Sequence, residues 1–154
     1  MKNKVTIAAM FIVAAVVICL VPFPVKIDRT MEGIRLENSE DRSFEDCSVT
    51  VEGWYYRYLL RDNTFKGDIS FSVNGETCSY YAPNISLCRS PLYRGKMGPA
   101  AVYDAALNQM VILGDIVITG NFKEVLIRSS EWEIVSPAEN YEEAVNLTEK
   151  LTIL

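Results

Sequence analysis

The sequence predicts a mainly β domain, an antiparallel sandwich or open barrel with a C-terminal α-helix, preceded by one N-terminal transmembrane helix. Three observations lead to this prediction: an uncharged run opens the chain, short segments that alternate apolar and polar residues follow it, and a helix start signal lies at Ser136. They divide the chain into an N-terminal signal-anchor at 1–25, an acidic tether at 26–46, and a β-rich domain at 47–154 with its helix at 137–151.

The uncharged run from Val5 to Val25 is long enough to cross a membrane. Its 21 residues have Thr6 as their only polar side chain, and a helix of that length measures about 30 Å, the thickness of a bilayer's hydrocarbon core. Pro22 and Pro24 are expected to end the helix near the interface, because proline lacks the N–H group and disfavours helix in the residue before it.

The N-terminal segment has three alternative fates. A cleaved signal peptide ends in small residues at alternate positions, whereas this run ends in bulky residues from Ile18 to Phe23. A lipoprotein has a small residue before its lipidated cysteine, whereas Ile18 precedes Cys19. The sequence therefore favours an uncleaved single-pass anchor, an organisation typical of small membrane-anchored bacterial proteins.

The orientation of this anchor follows from the short N-terminal tail. Basic residues flank the run on both sides, so the positive-inside rule does not decide. Only four residues precede the run, and a signal-like N-terminus sends the domain that follows across the membrane. We expect a cell-membrane protein whose C-terminal domain lies outside the cytoplasm.

The charge balance restricts the partners of this domain. Beyond residue 25, 13 Lys and Arg residues oppose 20 Asp and Glu residues, a net charge of −7. This balance argues against nucleic acid, and equally against docking on anionic lipid through a basic patch. The expected partners are the lipid bilayer, through the N-terminal helix, and a membrane protein, peptide or cell-wall polymer.

Three cysteines lie outside the apolar run: Cys47, Cys78 and Cys88. The odd number leaves at least one thiol unpaired within a monomer. If a disulfide forms, the pair Cys78–Cys88 closes the shortest loop; the alternative is that all three are thiols that pack as small apolar residues.

The first strand signal of the domain lies at 47–51, where apolar and polar residues alternate. Past Gly53 the apolar phase shifts by one residue, which predicts a β-bulge at the glycine. On this interpretation Tyr55 and Arg57 lie on the outer face of the sheet.

The most specific local prediction is a hairpin at Asn74-Gly75, because both central residues of a type I′ turn need positive φ. This turn opposes three pairs of residues: Val73 with Glu76, Phe71 with Cys78, and Ile69 with Tyr80. The last two pairs are predicted to share the core face.

The rest of the domain is predicted as one long loop, several short strands and a helix. Prolines and glycines indicate an irregular loop at 83–99, and strands are predicted at 101–103, 110–113, 116–119, 122–128 and 131–135. Gly114-Asp115 indicates a turn or bulge and Gly120-Asn121 a tight turn. The sequence Ser136-Pro137-Ala138-Glu139 has the pattern of a capping box at the start of the helix.

The sequence lacks most catalytic signatures. It contains no histidine, which excludes Ser-His-Asp and Cys-His nucleophile systems and removes the commonest ligand of catalytic zinc. We assign no catalytic, cofactor-binding or metal-binding residue. A pair of carboxylates could still hydrolyse a glycoside, for which the candidates are Asp104, Asp115 and Glu124.

Two features indicate ligand contact. Arg94 and Lys96 flank a glycine in the predicted loop, where backbone N–H groups and two cations could hold an anion; a solvated loop is the alternative. Tyr55 and Arg57 could contact a sugar or peptide from the outer face; cross-strand packing is the alternative. We expect a non-enzymatic binding or assembly module, and as the alternative a carboxylate-dependent hydrolase acting on an envelope glycan.

Overall fold

The structure, a computed structural model, describes residues 2–37 and 43–153, without the side chains of 2–6, 8, 9 and 15. Helix α1 (Lys2–Leu20) precedes eight strands: β1 (Phe23–Glu37), β2 (Phe44–Arg57), β3 (Asn63–Val73), β4 (Glu76–Arg89), β5 (Lys96–Asp104), β6 (Gln109–Thr119), β7 (Glu124–Arg128) and β8 (Trp132–Ser136). Helix α2 (Tyr141–Leu151) follows. The predicted mainly β domain with a C-terminal helix is confirmed.

The eight strands form a closed antiparallel barrel in which each strand pairs with its neighbours in sequence. The barrel closes where β8 pairs with β1, from Ile34 opposite Val135 to Glu37 opposite Trp132. The prediction of a sandwich or open barrel is corrected in this respect. Closure gives every strand a partner on both sides. It joins residues about 100 positions apart, which no local pattern in the sequence can show.

The predicted acidic tether at 26–46 is largely a strand. β1 pairs with β2 from Phe23 opposite Arg57 to Leu36 opposite Phe44. Ile27 is buried in the barrel core, and Val25 and Met31 pack against that core. Charged residues between these positions concealed the alternation. Glu40 and Asp41, part of the same prediction, lie outside the described residues.

The predicted β-bulge at Gly53 is absent from the ladders that β2 makes with β1 and β3, both of which run through Gly53 without a shift in register. Gly53 lies opposite Gly67, and a Cβ atom built on Gly67 would lie 2.1 Å from the carbonyl oxygen of Glu52. The glycines therefore allow close approach of the two strands. The inward face continues past Gly53, and Tyr55 is buried in the core.

The predicted long loop at 83–99 is also mostly strand, and only residues 90–95 connect β4 to β5. Pro83 lies within a shift in the β3–β4 register, and Pro99 directly precedes one in the β5–β6 register. Proline is tolerated at such irregularities because no ladder hydrogen bond is required there. Gly114-Asp115 lies within strand β6 at this same shift in the β5–β6 register, so the predicted bulge is confirmed and the alternative, a turn, is not formed.

The Asn74-Gly75 hairpin is confirmed. Asn74 has φ 52° and Gly75 φ 84°, and the three predicted residue pairs oppose one another in the β3–β4 ladder. Ile69 and Phe71 are buried as expected. Cys78, in contrast, is exposed, because the inward face of β4 reaches the open mouth of the barrel at this level.

Helix α2 begins later than the predicted range 137–151. Its N-cap is Asn140, whose side-chain oxygen accepts a hydrogen bond of 3.0 Å from the N–H of Glu143. Ser136 does not cap the helix, because its hydroxyl donates to the carbonyl oxygen of Glu32 at 2.8 Å. Ala144, Leu147 and Leu151 are the buried residues of α2, and they belong to a cluster on the outside of the barrel.

Helix α1 ends at Leu20, and Phe23 already belongs to β1, so the last residues of the predicted 1–25 anchor form a strand. The four consecutive residues Met10, Phe11, Ile12 and Val13 are each between 62% and 73% exposed. Among the residues that the structure describes, no helix reaches the length and hydropathy needed to cross a membrane.

Candidate anion-binding site

At the end of the barrel where α1 joins, three strands have a basic residue as their terminal residue. Each of these residues lies on the inward-facing side of its strand. Arg57 follows the buried Tyr55 by two positions on β2, and Arg89 follows the buried Leu87 by two positions on β4. Because side chains alternate along a strand, these cations point toward the barrel axis. Lys96 opens β5 directly opposite Arg89.

These cations line a cavity of about 980 Å³ at the mouth of the barrel. Five of its lining residues are basic: Arg57, Arg89, Arg94, Lys96 and Lys123. In the described part of the chain, no residue that lines this cavity is acidic. Within residues 2–37 and 43–153, none of the five has a carboxylate oxygen within 4.0 Å. The cavity therefore concentrates unpaired positive charge in a protein whose net charge is −5.

The floor of the cavity is aromatic and polar. The side-chain amide of the buried Asn63 donates to the hydroxyl oxygen of Tyr55 at 2.5 Å, and its oxygen accepts from the N–H of Tyr58 at 3.1 Å. Burial is the main cause that raises the pKa of Tyr55, although Asn63 and Arg57 oppose it. Tyr55 therefore keeps its proton at neutral pH and can donate it to a ligand oxygen.

The cations act on one another. Burial, followed by the charges of Arg89 and Arg57, lowers the pKa of Lys96 below its ordinary value, while Asp62 acts in the opposite direction. A bound anion would relieve this repulsion and favour the charged lysine. A negatively charged ligand would therefore reduce the repulsion among these cations.

A left-handed turn shapes one wall of the cavity. Gly120, Asn121 and Phe122 have φ values of 47°, 58° and 61° in succession. Positive φ is rare for a bulky residue such as phenylalanine. The turn directs Phe122 into the barrel, where its ring packs edge-to-face on Tyr55 at 5.7 Å and against Phe65 at 4.8 Å.

The opposite mouth of the barrel has a different electrostatic character. Its cavity of about 510 Å³ is lined by Phe71, Cys78 and Trp132 among others. Among the residues that the structure describes, the one cation lining it is Arg35, which is paired with Glu45 at 3.3 Å and lies 5.9 Å from the centre of the Trp132 ring. Core side chains such as Phe65 and Ile69 fill the barrel between the two mouths. The two cavities are therefore separate, and the unpaired cations belong to the α1 end.

The four residues predicted for ligand contact all line the cationic cavity: Tyr55, Arg57, Arg94 and Lys96. For Tyr55 and Arg57 the predicted face was wrong, since both project inward. Sequence reasoning missed Arg89, Lys123 and Asn63. The sequence does show basic residues near the ends of several strands. It does not show whether the side chains at those ends point into the barrel or away from it.

The three carboxylates considered for glycoside hydrolysis lie apart. Asp104 accepts hydrogen bonds from the N–H groups of Ala106 and Leu107 in the β5–β6 turn. Glu124 starts β7 at the other end of the barrel. Asp115 is exposed in β6. Asp104 and Glu124 thus have local structural contacts, the latter with the hydroxyl of Thr119. Among the described residues, no cluster of three or more potential metal ligands occurs.

The predicted disulfide between Cys78 and Cys88 is not formed, and all four cysteines are free. Cys78 and Cys88 lie ten positions apart on the same strand, β4. At about 3.3 Å per residue this separation far exceeds the Cα distance that a disulfide can span.

In comparisons with known proteins, the chain matches no protein family, no curated protein and no solved structure.

Proposed function

We propose that this protein is a membrane-anchored, non-enzymatic binding module that holds a small anionic ligand in the barrel mouth next to α1, outside the cytoplasm. The observation that carries the proposal is a set of five cations around one cavity, for which the residues described in the structure provide neither an ion-pair partner nor a lining carboxylate. Like charges held together cost stability unless a counter-charge joins them. A ligand that brings negative charge would offset this cost.

The size and chemistry of the cavity suit a phosphate or carboxylate on a small organic group. Ligand cavities of about 300–1,000 Å³ accommodate such molecules, and the volume here lies at the upper end of that range. Arginine guanidinium groups bind phosphate and carboxylate oxygens in a bidentate manner. Tyr55 and Asn121 add polar groups, and Leu59 and Ile153 add apolar contact.

The anchor is supported by the apolar circumference of α1. Successive residues of a helix are rotated by 100°, so four consecutive exposed apolar residues, Met10 to Val13, cover all its sides. A helix that is apolar all round requires an apolar environment, either a protein core or a bilayer. Together with the uncharged run from Val5 to Val25, this favours the bilayer.

Binding is tested on the full chain in non-ionic detergent by calorimetric titration with glycerol 3-phosphate and inorganic phosphate. We expect Arg57→Gln combined with Lys96→Gln to weaken binding at least about tenfold, because each charge-assisted hydrogen bond contributes about 1.5–3 kcal/mol. The double variant should not unfold at lower denaturant than the wild type, since it also removes a like-charge repulsion.

Lys66→Gln is the matched control. Lys66 is exposed on the outer face of β3 and does not line the cavity, so its neutralisation removes one positive charge away from the site, against the two that the double variant removes within it. Its affinity should equal that of the wild type within about twofold. Equal affinity in the double variant, or binding of neither anion to the wild type, would show that the cavity is not an anion site.

A further inference from the structure

The cationic mouth lies at the end of the barrel to which α1 is connected. α1 ends at Leu20 and β1 begins at Phe23, so at most about 10 Å of chain separates the helix from the barrel. Phe23 is paired with Arg57, one of the cavity's cations. A bilayer around α1 would therefore lie next to the mouth.

The same end carries exposed apolar side chains on its connecting loops. Leu59 and Leu60 occupy the β2–β3 loop, and Leu92 occupies the β4–β5 loop. Leu60 is 75% exposed, and Leu59 and Leu92 are 60% and 56% exposed. Single exposed leucines are ordinary on a protein surface, but three on two neighbouring loops, beside a membrane helix, form an apolar tip.

Basic residues surround this apolar tip. The rim segments 57–63, 89–96 and 118–123 contain six basic residues and one acidic residue, Asp62. One of the six, Arg61, is stacked over the ring of Tyr58 at 3.9 Å. Apolar side chains that enter the headgroup region, flanked by cations, are how proteins bind anionic membrane surfaces, and each cation near such a surface contributes about 1 kcal/mol.

We infer that the α1 end of the barrel docks on the bilayer that holds α1 and that the cationic cavity takes the phosphate headgroup of an anionic phospholipid. This inference rests on the proposed function and identifies the source of the anion. Leu59 lines the cavity as well as the rim, so a lipid whose phosphate lies among the cations meets apolar side chains where its glycerol and acyl chains begin.

Hydrogen-exchange mass spectrometry of the full chain in nanodiscs tests the inference. One set of discs contains only phosphatidylcholine, and the other adds phosphatidylglycerol. We expect exchange in residues 58–62 and 90–95 to slow at least about tenfold in the anionic discs. The β5–β6 loop at 105–108, at the other end of the barrel, should exchange equally in both. A third arm adds glycerol 3-phosphate to the phosphatidylcholine discs.

The outcomes separate the inference from the proposed function. Slow exchange only in anionic discs supports the bilayer source. Slow exchange with glycerol 3-phosphate but not with phosphatidylglycerol overturns the inference while the anion site stands. No change in any arm overturns both.

Matched apolar variants test the tip. Leu60→Ser should restore fast exchange in the anionic discs, whereas Ile112→Ser, at an equally exposed position (73%) on β6, should leave the slow exchange unchanged. Equal behaviour of the two variants would contradict insertion of the tip.

Discussion

Phe122 packs against Tyr55, which lines the cationic cavity, from a backbone conformation that few phenylalanines adopt. It is fully buried at φ 61° and contacts both Tyr55 and Phe65. Strained residues persist where the surrounding packing holds them, and they cluster at binding sites. Here the turn, whose Gly120 and Asn121 line the cavity, brings the Phe122 ring into the core beside Tyr55.

We expect Phe122→Ala to lower the free energy of unfolding by about 3–5 kcal/mol, because it removes a fully buried ring from the core. The measurement is urea unfolding of the full chain in detergent. Leu92→Ala, an exposed position at the same end of the barrel, serves as control and should change stability by less than about 0.5 kcal/mol. A small effect at Phe122 would show that the ring does not support the floor.

The side of the sheet on which Tyr55 lies could not be derived from the sequence. The apolar phase change after Gly53 predicts an outer face for Tyr55, but the backbone continues straight because two glycines allow close approach of β2 and β3. Both a bulge and a close approach explain a glycine in a strand. Only the identity of the opposing residue, Gly67, distinguishes them, and that requires the register.

At the scale of elements, α2 is held to the barrel by an apolar contact and an ion pair. The Lys150 ammonium donates to Glu124 at 2.5 Å, and the Thr119 hydroxyl donates to the same carboxylate at 2.5 Å. Burial alone would raise the pKa of Glu124, but the hydrogen bonds from Lys150 and Thr119 outweigh burial and lower it. The ionised carboxylate therefore stabilises the docked helix.

The pH dependence of stability follows from this lowered pKa. Because the folded-state pKa of Glu124 lies below its ordinary value, its contribution is present at neutral pH and is lost as pH falls through the folded pKa. We expect Glu124→Gln to reduce stability at pH 7 by no more than about 1 kcal/mol, since Lys150 is largely exposed. The variant should also lose less stability than the wild type between pH 6 and pH 3.

Urea unfolding at each pH measures this effect, with Glu149→Gln as the control. Glu149 is exposed on α2 and has no ion pair within the described residues, so its variant should follow the wild-type curve. If Glu124→Gln also follows that curve, the ion pair does not help to dock α2.

At the scale of the whole molecule, the two mouths of the barrel lie at opposite ends relative to α1. The cationic mouth is next to the helix, and the mouth containing Cys78 is remote from it. In the proposed anchored arrangement, Cys78 reports the side of the membrane on which the barrel lies. Burial, and then the charge of Glu32, raise the pKa of Cys47 to about 12 despite Arg35, so Cys47 stays an unreactive thiol.

We expect a membrane-impermeant maleimide to label Cys78 in intact cells, because the residue is exposed and the barrel is proposed to lie outside the cytoplasm. Peptide mass spectrometry identifies the labelled cysteine, and Cys78→Ser should remove the label. Cys47 should stay unlabelled until the protein is unfolded. Labelling of Cys78 only after lysis would place the barrel on the cytoplasmic side.

The sequence by itself determined the features that neighbouring residues encode. The hairpin at Asn74-Gly75 and its register follow from two adjacent residues with positive φ. The burial of Val49 and Val51 follows from period-two alternation. The C-terminal helix followed from local signals too, although its start was misplaced because the side chain of Ser136 bonds to Glu32, a hundred positions away.

Only the tertiary structure decided which strands close the barrel, which way Tyr55 faces, and where the charges meet. The acidic balance of the chain predicts a surface unsuited to anionic lipid, yet cations from three separate rim segments (57–63, 89–96 and 118–123) converge on one mouth. The physical reason is that electrostatic interactions depend on distance in space, and pairing between distant strands sets those distances. The net charge of the whole chain does not show the local excess of positive charge that a ligand would meet at this mouth.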